Sequence, residues 1–225
     1  MTTPIAIVAG AGTGLGQATA ITLAAAGLTV VAVDRDEVKL KELPDGIHAE
    51  VADATDPNVA KPLVDRIVAK HGPPAVLVNT IGTYAQGDVL STTPETFQAM
   101  VDVNVGPALW LTQAVAPYMQ ESGSGAIVHV AARPGVEPTA GVAAYATAKA
   151  ALIHLVRTLD LELRPLGIRV NVVAPQVIAT AKNKAMFPPD MLAGAVEPEA
   201  IAEVIAFLVS DAASPVSGAV VPTYG

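Results

Sequence analysis

The chain has 225 residues, of which 52% are hydrophobic, 15% charged and 4% aromatic, and its formal net charge at pH 7 is −8. This composition excludes a disordered chain, and the acidic balance argues against nucleic acid as a partner, because phosphate binding needs clustered lysine and arginine. The absence of cysteine excludes disulfide frameworks, thiolate metal sites and cysteine nucleophiles. The length is that of one domain, residues 1–225, which we expect to lie in the cytoplasm.

The stretch from Ile5 to Val33 contains no charged residue. A membrane span needs about 20 continuous apolar residues. Glycines interrupt this stretch, however, and no basic segment precedes it as in a secretory signal. We therefore interpret it as a buried strand, a glycine turn and a buried helix, and we expect no membrane partner.

Short β-branched runs alternate with longer helical patterns along the chain. The predicted strands are Ile5–Ala9, Thr29–Asp34, Ile47–Val51, Ala75–Asn79, Ala126–Val130, Arg169–Val173 and Ala219–Pro222. The predicted helices are Gly14–Ala26, Asp36–Leu43, Asn58–His71, Pro94–Gln120, Ala143–Leu163 and Pro198–Val209. Most strand runs are apolar throughout, which is typical of parallel strands covered on both faces. The order predicts an α/β fold, a Rossmann-like doubly wound parallel sheet of about seven strands with helices on both faces.

One segment, Ala181–Val196, fits neither pattern and contains Pro188, Pro189 and Gly194. It follows the carboxyl end of a predicted strand, where ligands bind in such sheets. A long loop at this place is often a lid, so we interpret it as a short substrate loop. Together with 84–90 and 133–142, it should set substrate specificity.

A glycine-rich turn, Ala9-Gly10-Ala11-Gly12-Thr13-Gly14-Leu15-Gly16, joins the first predicted strand to the first helix. Glycines let the chain turn sharply and let backbone N–H groups approach a pyrophosphate at the positive end of the helix. The strand before it and the helix after it make this turn a predicted dinucleotide site. The residues expected at the site are Gly10, Thr13, Gly14, Leu15 and Gly16.

Asp34 ends the second predicted strand, and Arg35 follows it. A carboxylate at this point accepts both hydroxyls of an adenosine ribose and repels a 2′-phosphate, whereas Arg35 could hold such a phosphate. No basic residue stands at Thr13 to assist Arg35. The pair therefore favours NAD as the cofactor over NADP.

Tyr145 and Lys149 begin a long apolar helix, and their spacing of four residues puts both side chains on one helix face. A phenol titrates near pH 10 in water. A neighbouring ammonium and a positively charged nicotinamide would stabilise the phenolate and bring the pKa of Tyr145 towards working pH. Tyr145 could then donate a proton to a carbonyl or remove one from an alcohol.

These motifs together resemble the short-chain dehydrogenase/reductase family over essentially the whole chain. The carrying patterns are Gly10-x-x-x-Gly14-x-Gly16 and Tyr145-x-x-x-Lys149. The resemblance implies an NAD(P)-dependent oxidoreductase with a small-molecule substrate, and an active-site role for Asn104, whose family counterpart holds a water beside the lysine. The further dinucleotide contacts that it implies are Asp53 and Ala54, Asn79 and Gly82, and Pro175, Ile178 and Thr180.

The chain departs from the resemblance at position 132, where alanine replaces the usual catalytic serine. Losing one oxyanion donor typically costs about 2.7–4 kcal/mol of transition-state stabilisation. One interpretation is hydride transfer to a substrate that needs no serine, or that Arg133, Thr139 or Thr80 polarises instead. A second is an NAD-binding protein with little or no catalytic activity. A third, lyase or dehalogenase chemistry, is disfavoured because Asp34 and the glycines would then be unnecessary.

A branch of the family, the quinonoid dihydropteridine reductases, also carries alanine at that position together with the tyrosine and lysine. The stretch Thr180-Ala181-Lys182-Asn183-Lys184 is similar to theirs. The first interpretation therefore predicts a small carbonyl, alcohol or quinonoid substrate, with Ala132 at the substrate site.

The remaining features concern metals and assembly. No spacing among the four histidines suggests a metal site, and we interpret His129 as a packed strand residue. The predicted helices Pro94–Gln120 and Ala143–Leu163 are apolar over much of their circumference, so a face beyond the one on the sheet would need a partner. This favours a homodimer or homotetramer.

Overall fold

The structure is a computed structural model that describes residues 3–225. Its strands are β1 (Ile5–Ala9), β2 (Thr29–Asp34), β3 (His48–Val51), β4 (Pro74–Asn79), β5 (Gly125–Val130), β6 (Ile168–Pro175) and β7 (Val220–Thr223). Its helices are α1 (Gly14–Ala25), α2 (Glu37–Leu40), α3 (Pro57–His71), α4 (Pro94–Asn104), α5 (Gly106–Ser122), α6 (Arg133–Val136), α7 (Ala143–Leu163), α8 (Ala181–Met186), α9 (Pro189–Leu192) and α10 (Pro198–Val209).

The seven strands pair in parallel and form one sheet in the order β3-β2-β1-β4-β5-β6-β7. The prediction of a Rossmann-like doubly wound sheet is confirmed. The strand order changes direction between β1 and β4, which are neighbours in the sheet. Ligands of such sheets bind beyond the carboxyl ends of the strands at this switch point.

Apolar side chains on both faces of the sheet form the core. On one face, Ile7 and Leu77 pack in a cluster with side chains of α3, α5 and α7. On the other face, Val8 and Val78 pack with side chains of α1 and α10. Every residue of β1 is buried, which explains why this strand is apolar throughout rather than alternating.

The uncharged stretch from Ile5 to Val33 forms β1, α1 and most of β2. The helix of this stretch, α1, has 12 residues, whereas a membrane-spanning helix needs about 20. Within the described range 3–225, no helix is both long and apolar enough to cross a membrane.

The prediction of one continuous helix over Pro94–Gln120 is wrong. The segment forms two helices, α4 and α5, which are separated at Val105. Val105 has φ −112°, outside the usual helical range, and Pro107 has no N–H with which to continue the helical hydrogen bonds. The break has a consequence for the site. It leaves Asn104 at the end of α4 with a side chain only 1% exposed.

Two other predictions are corrected. The helix expected over Asp36–Leu43 is shorter, since α2 extends only from Glu37 to Leu40. Pro44 disfavours helical backbone at Leu43, the residue before it. The segment Ala181–Val196 is not a plain loop, since it contains α8 and α9. The hydroxyl of Thr180 begins α8 by accepting a hydrogen bond from the N–H of Asn183 at 3.1 Å.

Candidate active site

The glycine turn brings the start of α1 to the carboxyl edge of the sheet. Gly10 has φ +81°, a conformation that residues with side chains rarely adopt. A methyl group at Gly16 would overlap the carbonyl of Gly10, so α1 can approach the turn only without a side chain there. Thr13 precedes the helix without forming a side-chain cap, and no acidic residue lies in the first turn. The N–H groups of Gly14, Leu15 and Gly16 are therefore available to an anionic pyrophosphate.

Asp34 and Arg35 point to different partners at the end of β2. The Asp34 carboxylate accepts hydrogen bonds from the N–H of Gly12 at 2.9 Å and of Asp36 at 3.0 Å. The Arg35 guanidinium instead lies 3.7 Å from a carboxylate oxygen of Asp53. The negative charge of Asp34 thus lies beside the glycine turn, while the positive charge of Arg35 is paired with Asp53 in the segment after β3.

The other predicted dinucleotide contacts lie along the same edge of the sheet. They are Asp53 and Ala54 after β3, Asn79 and Gly82 at and after the end of β4, and Pro175, Ile178 and Thr180 at and after the end of β6. The methyl carbon of Thr180 is 2.9 Å from the point that a Cβ on Gly14 would occupy. The segment after β6 therefore closes against the glycine turn.

A cleft of about 680 Å³ opens beside the carboxyl ends of β5 and β6. Tyr145 lines it near the start of α7, together with Ala131 and Ala132 after β5. Pro175 and Ile178 line it from β6 and the segment that follows. The cleft thus adjoins the edge of the sheet that carries the predicted dinucleotide contacts, and it is large enough for a small molecule.

Lys149 lies one helical turn beyond Tyr145 on α7 and is only 4% exposed. Its Nζ atom is 5.9 Å from the centroid of the Tyr145 ring and donates a hydrogen bond to the Val130 carbonyl over 2.9 Å. A Cβ on Gly82 would stand 3.1 Å from this Nζ and 2.9 Å from the Oδ1 atom of Asn104. Glycine at this point therefore leaves room for both polar groups.

The Asn104 side chain is held from two directions. Its Nδ2 donates to the Met100 carbonyl over 2.9 Å, and its Oδ1 accepts from the N–H of Thr83 over 3.1 Å. The amide is thus positioned near Lys149 rather than turned to solvent. Tyr145 and Lys149 are close in sequence, whereas Asn104 lies on a different helix. The fold brings the three side chains together at one place.

Burial determines the protonation of the Tyr145–Lys149 pair. It raises the pKa of Tyr145 above its usual range, and the neighbouring phenol of Tyr84 adds to this shift. Burial also lowers the pKa of Lys149 to about 8. In the protein alone the pKa of Tyr145 is therefore raised, not lowered, because burial disfavours the charged phenolate.

Two of the three proposed substitutes for serine line the cleft. The Arg133 guanidinium is already engaged, since its Nε donates to the Glu137 carboxylate over 3.0 Å and its Nη1 to the side-chain oxygen of Gln176 over 2.9 Å. The Thr139 hydroxyl donates to the Glu137 carbonyl over 3.3 Å. Both groups lie at the exposed side of the cleft.

The third substitute, Thr80, does not line the cleft. Its hydroxyl donates to the carbonyl oxygens of Ala9 and Gly10, at 2.9 and 3.1 Å. The prediction of Thr80 as a substrate contact is therefore corrected. Thr80, which directly follows β4, instead holds the glycine turn through these two hydrogen bonds.

The sequence did not reveal the aromatic surroundings of Tyr145. Tyr84, in the segment after β4, packs edge-on against the Tyr145 ring with centroids 5.1 Å apart. Phe187, at the end of α8, meets the Tyr84 ring in the same way at 5.6 Å. The sequence offered two weak signals. Aromatic residues are rare in this chain, and Tyr84 and Phe187 both lie in segments that were expected to set substrate specificity.

His129 in β5 is fully buried, between the side chains of Asn79 at 3.4 Å and Thr112 at 3.2 Å. Desolvation, with the charge of Lys149 as a second cause, lowers its pKa to about 3. It is a packed, neutral side chain of the core. Among residues 3–225, no group of three or more histidine, aspartate or glutamate side chains is placed to hold a metal ion.

The chain is similar in sequence and in structure to known reductases and dehydrogenases. Residues 4–190 match the family model described as short chain dehydrogenase. The 3-oxoacyl-[acyl-carrier-protein] reductase FabG of Thermotoga maritima is 33% identical, over 96% of this chain and 94% of its own length. The meso-2,3-butanediol dehydrogenase of Serratia marcescens is 29% identical, over 98% and 93%. A solved 7α-hydroxysteroid dehydrogenase complexed with NADH and 7-oxo glycochenodeoxycholic acid is 32% identical with a TM-score of 0.94, over 100% of this chain and 94% of that one.

Proposed function

The chain belongs to the short-chain dehydrogenase/reductase family, and on that premise we propose that it transfers a hydride between NAD and a small carbonyl, alcohol or quinonoid substrate. One observation carries this proposal. Tyr145 lines the cleft beside the dinucleotide edge, and Lys149 lies behind it on the same helix face. Residues 1–225 would then form a single dinucleotide-binding domain.

The carboxyl edge suits NAD better than NADP. Asp34 is held beside the glycine turn by the N–H of Gly12, where it would accept ribose hydroxyls and repel a 2′-phosphate. Arg35, the residue that could hold such a phosphate, is paired with Asp53. The crowded glycines and the free N–H groups of α1 fit a pyrophosphate. Nicotinamide, when bound, supplies or accepts the hydride.

In the direction of reduction, Tyr145 donates its hydroxyl proton to the substrate oxygen. Its raised pKa keeps the phenol protonated near neutral pH, so the proton transfer becomes favourable only as negative charge develops on the substrate oxygen. Lys149, in its charged form, stabilises the phenolate that remains. In the direction of oxidation, the same phenolate removes the proton of an alcohol. Asn104 supports the pair by occupying the space next to Lys149.

A second candidate is an NAD-binding protein with little or no catalytic activity. Ala131 and Ala132 favour it, since neither residue offers a hydroxyl to polarise a substrate oxygen next to Tyr145. The missing donor is worth about 2.7–4 kcal/mol, which would make a simple ketone a poor substrate. Lyase or dehalogenase chemistry gains no support, because it would leave Asp34 and the glycine turn without a role.

The two candidates differ in one measurement, the oxidation of NADH in the presence of quinonoid pterins, quinones and activated ketones. We expect turnover of at least one compound, and a loss of about 10²-fold or more in kcat for Tyr145→Phe with an unchanged Kd for NADH. Tyr118→Phe is the matched control, because its hydroxyl bonds Asp65 away from the cleft. Binding of NADH without any turnover would favour the second candidate.

Self-association through α4, α5 and α7 is a further part of this proposal, giving a homodimer or homotetramer. Phe97 on α4 and Leu161 on α7 are 42% and 70% exposed, although these helices already pack one face on the rest of the fold. A second copy would cover such side chains. Light scattering over a dilution series should show a dimer or tetramer, and a monomer throughout would contradict the proposal.

A further inference from the structure

Tyr84 is held in one place at the cleft. It lines the same cavity as Tyr145, Ala131 and Ala132. Its ring contacts the Tyr145 ring at a centroid distance of 5.1 Å with planes at 74°, and the Phe187 ring at 5.6 Å and 82°. Edge-to-face contacts of this kind fix the direction of an aromatic side chain.

The hydroxyl of Tyr84 is protonated and uncommitted. Burial is the single cause that raises its pKa, and no hydrogen bond or neighbouring charge contributes. In the described part of the chain, the fully buried side-chain polar atoms that lack a partner are on Thr223 and Tyr224. Tyr84 is partly exposed and lines the cleft, so it is not enclosed in the core. It can therefore donate a hydrogen bond to a molecule in the cleft.

Three of the other polar side chains that line the cleft are already engaged. The guanidinium of Arg133 pairs with the Glu137 carboxylate, and the hydroxyl of Thr139 donates a hydrogen bond to the Glu137 carbonyl. The Asn183 amide donates to the Ile178 carbonyl over 2.9 Å. Tyr84 differs from these three because its ring contacts the ring of Tyr145, the side chain that would protonate the substrate oxygen.

We propose that the Tyr84 hydroxyl donates a second hydrogen bond to the substrate oxygen and supplies the polarising contact that Ala131 and Ala132 do not offer. This inference rests on the proposed function of the same site. The proton that ends on the product oxygen comes from Tyr145. Tyr84 keeps its own proton and stabilises the negative charge that develops on the oxygen.

The test compares Tyr84→Phe with the wild type, using the NADH-dependent substrate that the wild type turns over fastest. The substitution removes only the hydroxyl, so the ring contacts, the thermal unfolding temperature and the Kd for NADH should be preserved. We expect kcat to fall about 10²-fold or more. Tyr118→Phe removes a phenol hydroxyl outside the cleft and should leave kcat unchanged.

A second variant separates donation from packing. Ala132→Ser in the Tyr84→Phe background returns a hydroxyl to the cleft, and we expect it to restore kcat about tenfold or more. A Tyr84→Phe enzyme as active as the wild type overturns the inference and leaves the proposed function intact. The same holds for a loss that Ala132→Ser does not restore although Ala132→Ser raises kcat in the wild type. If the wild type itself reduces no compound, the proposed function fails and this inference fails with it.

Discussion

The ammonium of Lys149 donates a hydrogen bond to the carbonyl oxygen of Val130 over 2.9 Å. Val130 ends β5, and the next residues of the chain form one wall of the cleft. The contact therefore ties the helix that carries Tyr145 to that wall. Holding a cation in this buried place costs solvation free energy, which is why the pKa of Lys149 lies at about 8.

We expect the rate of substrate reduction to fall as the pH rises through about 8. Lys149 is charged below this pH and neutral above it, so it stabilises the Tyr145 phenolate less at alkaline pH. Tyr145 does not cause this decline, because its raised pKa keeps it protonated. The measurement is kcat/KM across about pH 6 to 10, which reports groups of the free enzyme. A flat profile over this range would contradict the assignment.

Replacing Asp34 should change the cofactor preference. Hydrogen bonds to a charged group are worth about 1.5–3 kcal/mol, so Asp34→Ser should weaken NADH binding by roughly 10- to 150-fold. NADPH should lose less or gain, since the repulsion of its 2′-phosphate is removed. Binding isotherms for both dinucleotides measure the ratio of their Kd values. Asp45→Ser, at an exposed loop position, is the control, and an unchanged ratio in Asp34→Ser would refute the prediction.

Acid should destabilise the fold through His129. Its pKa is about 3 in the folded protein and about 6.5 when unfolded, so between these values the unfolded chain binds more protons. The free energy of unfolding should therefore fall by about 1.4 kcal/mol per pH unit as the pH drops from 6.5 towards 3. Denaturant unfolding of His129→Gln should show a shallower dependence in this window. The same substitution at the exposed His154 should leave the slope as it is in the wild type.

Ala132→Ser alone should raise activity towards simple ketones. Ala132 is 4% exposed, lines the cleft and has extended backbone, so a serine there adds one donor without strain. The new donor adds to the contact proposed for Tyr84, so the gain in kcat/KM is at most about 10²-fold, the usual worth of one such donor. Ala151→Ser, on the exposed side of α7, controls for the added hydroxyl. No gain would mean that the shape of the cleft, not the missing hydroxyl, limits these substrates.

Much of the fold could be predicted from local patterns. Apolar runs identified strands covered on both faces, and their alternation with helical segments identified the parallel sheet. The spacing of Tyr145 and Lys149 placed them on one face of α7 because a helix repeats every 3.6 residues. The glycine turn and Asp34 could be assigned to one sheet edge for a similar reason, since the carboxyl ends of parallel strands share it.

The predictions failed where the outcome depended on packing between distant segments. The predicted helix Pro94–Gln120 is interrupted next to Pro107, although its composition favoured one helix. The hydroxyl of Thr80 bonds the backbone of the glycine turn and does not line the cleft. The edge-on contact of Tyr84 with Tyr145 joins two segments about 60 residues apart, which no local pattern encodes.

The sequence by itself determined the parallel sheet, its ligand edge and the residue types that meet there, because strand and helix patterns are local and their alternation along the chain implies parallel strands joined by helical crossovers. Only the tertiary structure decided which aromatic side chains line the cleft and in which direction the Tyr145 pKa moves. The physical reason is that desolvation depends on every group packed around a side chain, and for Tyr145 those groups come from α7, the segment after β4 and the end of β5.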